Sequence, residues 1–203
     1  MKMYLLSLIL VTLFHQSALS APLTFDFKDS KGVNQAAFTL DAPLEAISGT
    51  AHGVSGTLSF DPDRPSTTTG KLVITTASLH VTNPMMKEHM HGPQWMDVAK
   101  YPEITFEVKE LKNVKTEGTK TAADVTGVIT IKGVSKMITV SANATYLKDK
   151  LGQRIPNQKG DLLVIRTSFV IKRDEFNINP KAPTDKVAND IQLTLSIAGA
   201  APR

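Results

Sequence analysis

The chain contains no cysteine, which removes thiol nucleophiles, thiolate metal centres and disulfide staples together. Tryptophan occurs once and aromatic residues make up 6% of the sequence. The basic residues stand singly among acids, with a formal charge of +4 that becomes +3 if Lys2 is lost with the first residues. Neither a basic stripe nor an interleaved aromatic surface is present, so nucleic-acid binding is not expected. After the first residues no apolar run approaches the ~20 needed for a membrane-spanning helix. Catalytic signatures are missing too. There is no His-Glu-x-x-His, and Gly53-Val54-Ser55-Gly56 does not reproduce the Gly-x-Ser-x-Gly elbow. The carboxylates Asp61, Asp63, Asp97 and Glu103 fall in turn-forming contexts rather than as an acid and base pair. Gly127 and Gly133 read as bulge or turn glycines, since no helix follows to cradle a phosphate. No enzymatic activity and no cofactor are expected.

What is present begins with Lys2, the apolar stretch Met3 to Phe14, and Ala18-Leu19-Ser20 before Ala21. A positive start, a short apolar core and a small-x-small end predict a secretory signal peptide over residues 1–20, leaving 21–203 as one domain in the periplasm or outside the cell. That length buries a core without staples.

From Leu23 onward apolar positions alternate with polar ones in short runs: Ala36 to Leu44, Val54 to Phe60, Lys71 to Leu79, Ile104 to Leu111, Val125 to Ile131, Met137 to Leu147, Leu162 to Ile171 and Ile191 to Ile197. Period two predicts antiparallel strands. Breakers separate them, among them Asp61-Pro62-Asp63, Asn83-Pro84, Tyr101-Pro102, Lys132-Gly133 and Asn179-Pro180. The Met85 to Val98 stretch suits a helical turn or two, interrupted at Gly92-Pro93. The expectation is an all-β, closed, eight-stranded antiparallel barrel with a short helical connection over one mouth. Such a barrel is either packed by side chains or wide enough for one slender ligand.

Four stretches carry a resemblance. Val54-Ser55-Gly56-Thr57-Leu58-Ser59-Phe60-Asp61-Pro62 is similar to an early Gly-x-x-x-Phe-Asp turn of the YceI-like family. His89-Met90 with Trp95-Met96-Asp97-Val98-Ala99-Lys100-Tyr101-Pro102-Glu103-Ile104-Thr105-Phe106 resembles its central signature. Gly127 to Lys136 resembles its second, and Ile171-Lys172-Arg173-Asp174-Glu175-Phe176 its Arg-x-x-Phe strand end. The four occur in the family's order across nearly the whole chain. The resemblance implies a lipocalin-like barrel whose interior binds a polyprenyl or quinone-type isoprenoid, or a similar amphiphilic lipid. Two positions depart from the family pattern: Met86-Lys87 stands where Arg-Asp is usual, and Asn177 where Gly commonly follows. The charged tie between the connection and the barrel must then be made by other residues.

Candidates for the apolar wall are Phe60, Trp95, Met96, Phe106, Ile129, Ile131, Phe169 and Phe176. Each alone is also what a filled core would show; as a set, beside methionines, they point to an adaptable apolar cavity. Arg173 and His89 are candidates for the ligand's polar end, with Lys100 a third; the competing readings are an Arg173 ion pair with Asp174 or Glu175 and a hydrogen-bonded structural His89. The expected partner is a long-chain lipid or isoprenoid, with a homodimer left open. Two alternatives remain. His80, His89 and His91 with Met85, Met86, Met90 and Met96 have the donor types of a copper-handling site, and a packed barrel could act through a protein partner in envelope stress or redox homeostasis.

Overall fold

A computed structural model of the chain describes residues 21–203 apart from Ser30, so the expected leader lies outside the described residues. The strand segments are β1 (Leu23–Asp26), β2 (Gln35–Asp41), β3 (Ala46–Ala51), β4 (Val54–Phe60), β5 (Thr69–Thr75), β6 (Leu79–Val81), β7 (Glu103–Glu117), β8 (Lys120–Ile131), β9 (Val134–Leu147), β10 (Gly160–Lys172) and β11 (Asp190–Pro202). Among the described residues two α-helices join them, α1 (Pro84–His91) and α2 (Leu151–Arg154), beside three short 3-10 turns.

Antiparallel pairing runs β1-β4-β5-β7-β8-β9-β10-β11, and Asp26 opposite Ala200 closes β11 back onto β1. β11 also holds β2, through Gln192–Ser196, and β3 links β2 to β6. The pairs β1/β2, β3/β4 and β5/β6 are therefore halves of three bent strands. The molecule is a closed eight-stranded antiparallel barrel, as the eight runs of alternation implied.

Two of the bends have a clear local cause. Between β1 and β2 the buried Asn34 side chain takes over from the ladder: its amide donates to the Phe27 and Ala198 carbonyls, and its oxygen accepts from Ala198 N–H at 2.9 Å. At the β3/β4 bend, Gly53 lies so close to the next strand that a Cβ would sit 2.8 Å from Ser78 Oγ. The Gly53 N–H is satisfied by that same hydroxyl at 3.0 Å. Burying these breaks without partners would cost about 1–3 kcal/mol for each orphaned group.

Leu162 and Leu163 are both buried although they point to opposite faces, because α2 packs on the outside of β10 and β11. Both the short strand β1 and helix α2 escape the period-two reading, one being four residues long and the other a single turn.

The barrel has two unlike ends. At one, Phe25, Phe60 and Tyr146 form an aromatic trio with ring centroids 6.1–6.3 Å apart. Behind it the Tyr146 hydroxyl donates to buried Asp161 at 2.8 Å, and Arg203 pairs with Asp149 and Asp161. Burial alone would raise the Asp161 pKa. The Asp149 N–H, the Tyr146 hydroxyl and Arg203 outweigh it and hold the carboxyl below its ordinary range. Desolvation first, then the Asp161 carboxylate, push the Tyr146 phenol up to about 12. This end is the floor. The other end carries α1 and the connections 82–102 and 173–189, and is the mouth.

Candidate ligand-binding cavity

Inward-facing side chains of the barrel strands leave a cavity of about 420 Å³, within the ~300–1,000 Å³ typical of small-molecule sites. It extends from Met90, Trp95 and Met96 under the mouth to Thr121, Ala123 and Thr68 near the floor. Its wall is almost wholly apolar, and the titratable residues that line it are Glu45, His89 and Arg173.

The mouth cover follows from local sequence. Asn83 caps α1, its side chain accepting from Met86 N–H at 3.2 Å, and Pro84 occupies the first helical position, where no N–H is needed. Gly92-Pro93 then ends the helix, as the sequence anticipated. Helical spacing places Met86, His89 and Met90 on the cavity side, while Met85 points outward with 67% of its surface exposed.

Of the residues selected from sequence, Phe60, His89, Trp95, Met96, Phe106, Ile129, Ile131, Phe169 and Arg173 all line this one cavity. Phe176 does not. It is fully buried in the turn after β10, packed in the core with the Lys136 ammonium 5.8 Å from its ring. Lys100 also stays off the wall and sits over Tyr101 instead.

Phe106 and Phe38 depend on glycines beside them. A Cβ at Gly127 would lie 2.4 Å from Phe106 Cζ, and one at Gly49 would lie 2.2 Å from Phe38 Cζ. Both rings thus press against bare backbone of the neighbouring strand. This keeps the bore open where a larger neighbour would push the ring inward.

Arg173 occupies an unexpected role. It is 1% exposed, and its five N–H groups meet five backbone carbonyls. Nε donates to Ala188; the first terminal nitrogen to Ile178 and Asn179; the second to Ala182 and Val187. Burial lowers its pKa, partly opposed by Asp174, but the guanidinium stays charged. It therefore holds the 174–189 connection in shape and has no donor left for a ligand. Neither does it form the alternative ion pair with Asp174 or Glu175, since all five donors are on carbonyls and Glu175 is bonded to Lys136 at 3.1 Å.

The tie that Met86-Lys87 fails to provide comes from Lys132. Its ammonium donates to the Gln94 and Asn177 carbonyls at 3.0 and 2.9 Å, joining the β8–β9 turn to both covering connections. Asn179 N–H adds a bond to Gln94, His91 Nε2 lies 2.8 Å from the Leu79 carbonyl, and Thr76 donates to the Tyr101 carbonyl. The histidines do not converge: His80 is exposed on β6, His91 is tied to backbone and His89 faces the cavity. Among the described residues no three of His, Cys, Asp or Glu come together to hold a metal ion.

Residues 20–199 match the YceI-like domain model. The chain belongs to the YceI-like family. Protein YceI of Salmonella arizonae is 28% identical to it over 151 residues, covering 74% of this chain and 72% of that protein. The Campylobacter jejuni YCEI protein, 26% identical, superposes with a TM-score of 0.61 over 75% of this chain and 83% of its own. Fold alone is shared with a polyisoprenoid binding domain from Saccharophagus degradans, at 13% identity, TM-score 0.65 and coverage of 89% and 99%. No helix among the described residues is long and apolar enough to cross a membrane.

The sequence reading missed parts of the YceI-like wall. Phe38, Leu40, Leu193 and Leu195 line the cavity and alternate on β2 and β11, so period two was the signal that could have found them. Glu45, Ile178 and Val187 come from connections and carry no such signal.

Proposed function

We propose that this chain is a non-catalytic carrier or sequestering protein that holds a long-chain isoprenoid, or a similar amphiphilic lipid, inside its barrel. The observation that carries this reading is the apolar cavity reaching from α1 almost to the floor, with its titratable groups at the mouth end. Each buried methylene of a tail contributes about 0.8 kcal/mol before ordering costs, so length alone supplies affinity. The fold shared with a polyisoprenoid binding domain supports the same ligand class. The leader pattern over residues 1–20 supports a periplasmic or secreted location.

The test is native mass spectrometry of protein purified from its own host, followed by organic extraction. A polyprenyl or acyl species of defined mass is the expected result. An empty barrel that keeps one copper ion per chain would overturn it.

A further inference from the structure

Building on the carrier reading, we infer that the cavity selects ligands whose polar end is uncharged and donates hydrogen bonds, through Glu45 and His89 at the rim, and that it discriminates against phosphorylated ends.

The exposed residues on the cavity lining are Glu45, His89 and Thr194. Thr194 is already engaged, its hydroxyl 3.2 Å from Ser168 Oγ. That leaves a carboxylate from the β2–β3 turn and an imidazole from α1 as the polar groups a ligand meets where the cavity reaches solvent.

A phosphate would need cations, and no arginine or lysine on the lining has a donor to spare. Arg173, the sole arginine or lysine on the lining, gives all five N–H groups to carbonyls. Lys132, bonded to two carbonyls, and Lys136, paired with Glu175, also stand off the lining. Lys87, on α1, does not line the cavity. The helix itself turns the wrong end: His89 lies in the last turn of α1, where the aligned backbone dipoles leave partial negative charge. A phosphate bearing about −1.5 to −2 charges would therefore face the Glu45 carboxylate without compensation. A hydroxyl would instead donate to that carboxylate and accept from the imidazole.

Trp95 lines the cavity and is the only tryptophan, so its fluorescence reports occupancy without a label. Delipidated full-length mature protein would be titrated with a C20 isoprenoid alcohol and with its monophosphate, which differ only at the polar end. The alcohol is expected to bind at least about tenfold more tightly. Glu45→Lys should erase or reverse that ratio, whereas Lys87→Gln should leave it unchanged. Equal or tighter binding of the monophosphate would overturn the selectivity while leaving the carrier reading intact, because the tail would still be held. A preference for the alcohol that Glu45→Lys does not alter would overturn the assignment to this rim. If neither compound changes Trp95 emission in protein that circular dichroism shows to be folded, the carrier reading fails and this inference with it.

Discussion

Arg173 shows how far a single residue's role can lie from what its motif implies. Position and type were legible in the Arg-x-x-Phe strand end, but five carbonyls gathered from residues 178–188 are a product of the folded connection. Lysine cannot reproduce the planar fork, so Arg173→Lys should cost roughly 2–4 kcal/mol in urea unfolding. It should also make residues 174–189 more sensitive to proteolysis. Gly127 supplies a second test. With Phe106 Cζ already 2.4 Å from where its Cβ would stand, Gly127→Val should drive the ring into the bore. We expect destabilisation of about 1–3 kcal/mol and loss of the Trp95 response to a C20 tail, readable in one titration. Tyr146 gives a pH signature. Its folded pKa, about 12, lies above the ordinary phenol value near 10, so the folded chain keeps a proton that the unfolded chain gives up. This contribution is complete below pH 10 and is lost as pH rises towards 12. Tyr146→Phe should flatten that alkaline fall in stability, followed by thermal melts across the window.

At the level of elements, alternation revealed the barrel strands because one face of each is buried and the other is wet. It gave no hint of how far neighbours pair. β9 and β10 are bonded only from Leu147 opposite Leu162 to Ala142 opposite Thr167, although β9 begins at Val134 and β10 continues to Lys172. Beyond that point side chains bridge the seam, Thr167 donating to the Ser141 carbonyl and Lys136 pairing with Glu175. Backbone groups on the β10-facing edge of Ser135–Thr139 lack ladder partners, whereas those facing β8 have them. Hydrogen exchange should therefore alternate along this stretch, fast at every second amide and slow between. Uniform protection would show that the seam is zipped in solution. The helix α1 was legible in outline, because Asn83-Pro84 and Gly92-Pro93 mark its ends through capping and the missing proline N–H.

For the molecule as a whole, ligand occupancy should appear as stability. A tail bound at a hundred times its dissociation constant adds about 2.7 kcal/mol, a rise of roughly 5–10 °C in melting temperature for a chain of this size. A melting point indifferent to an added C20 alcohol would count against an accessible cavity. Sequence alone settled the all-β class, the number of barrel strands and the helical cover, and it pointed to part of the apolar wall, because burial on a pleated strand is written as period two and turns are written in Gly, Pro, Asn and Asp. Tertiary structure alone decided that the barrel is hollow, that Phe176 lies off its wall, that Glu45 reaches its rim and that Arg173 is spent on carbonyls. Those outcomes depend on how strands far apart in sequence close and on which backbone groups the connections leave to be satisfied, and neither quantity is local to any stretch of chain.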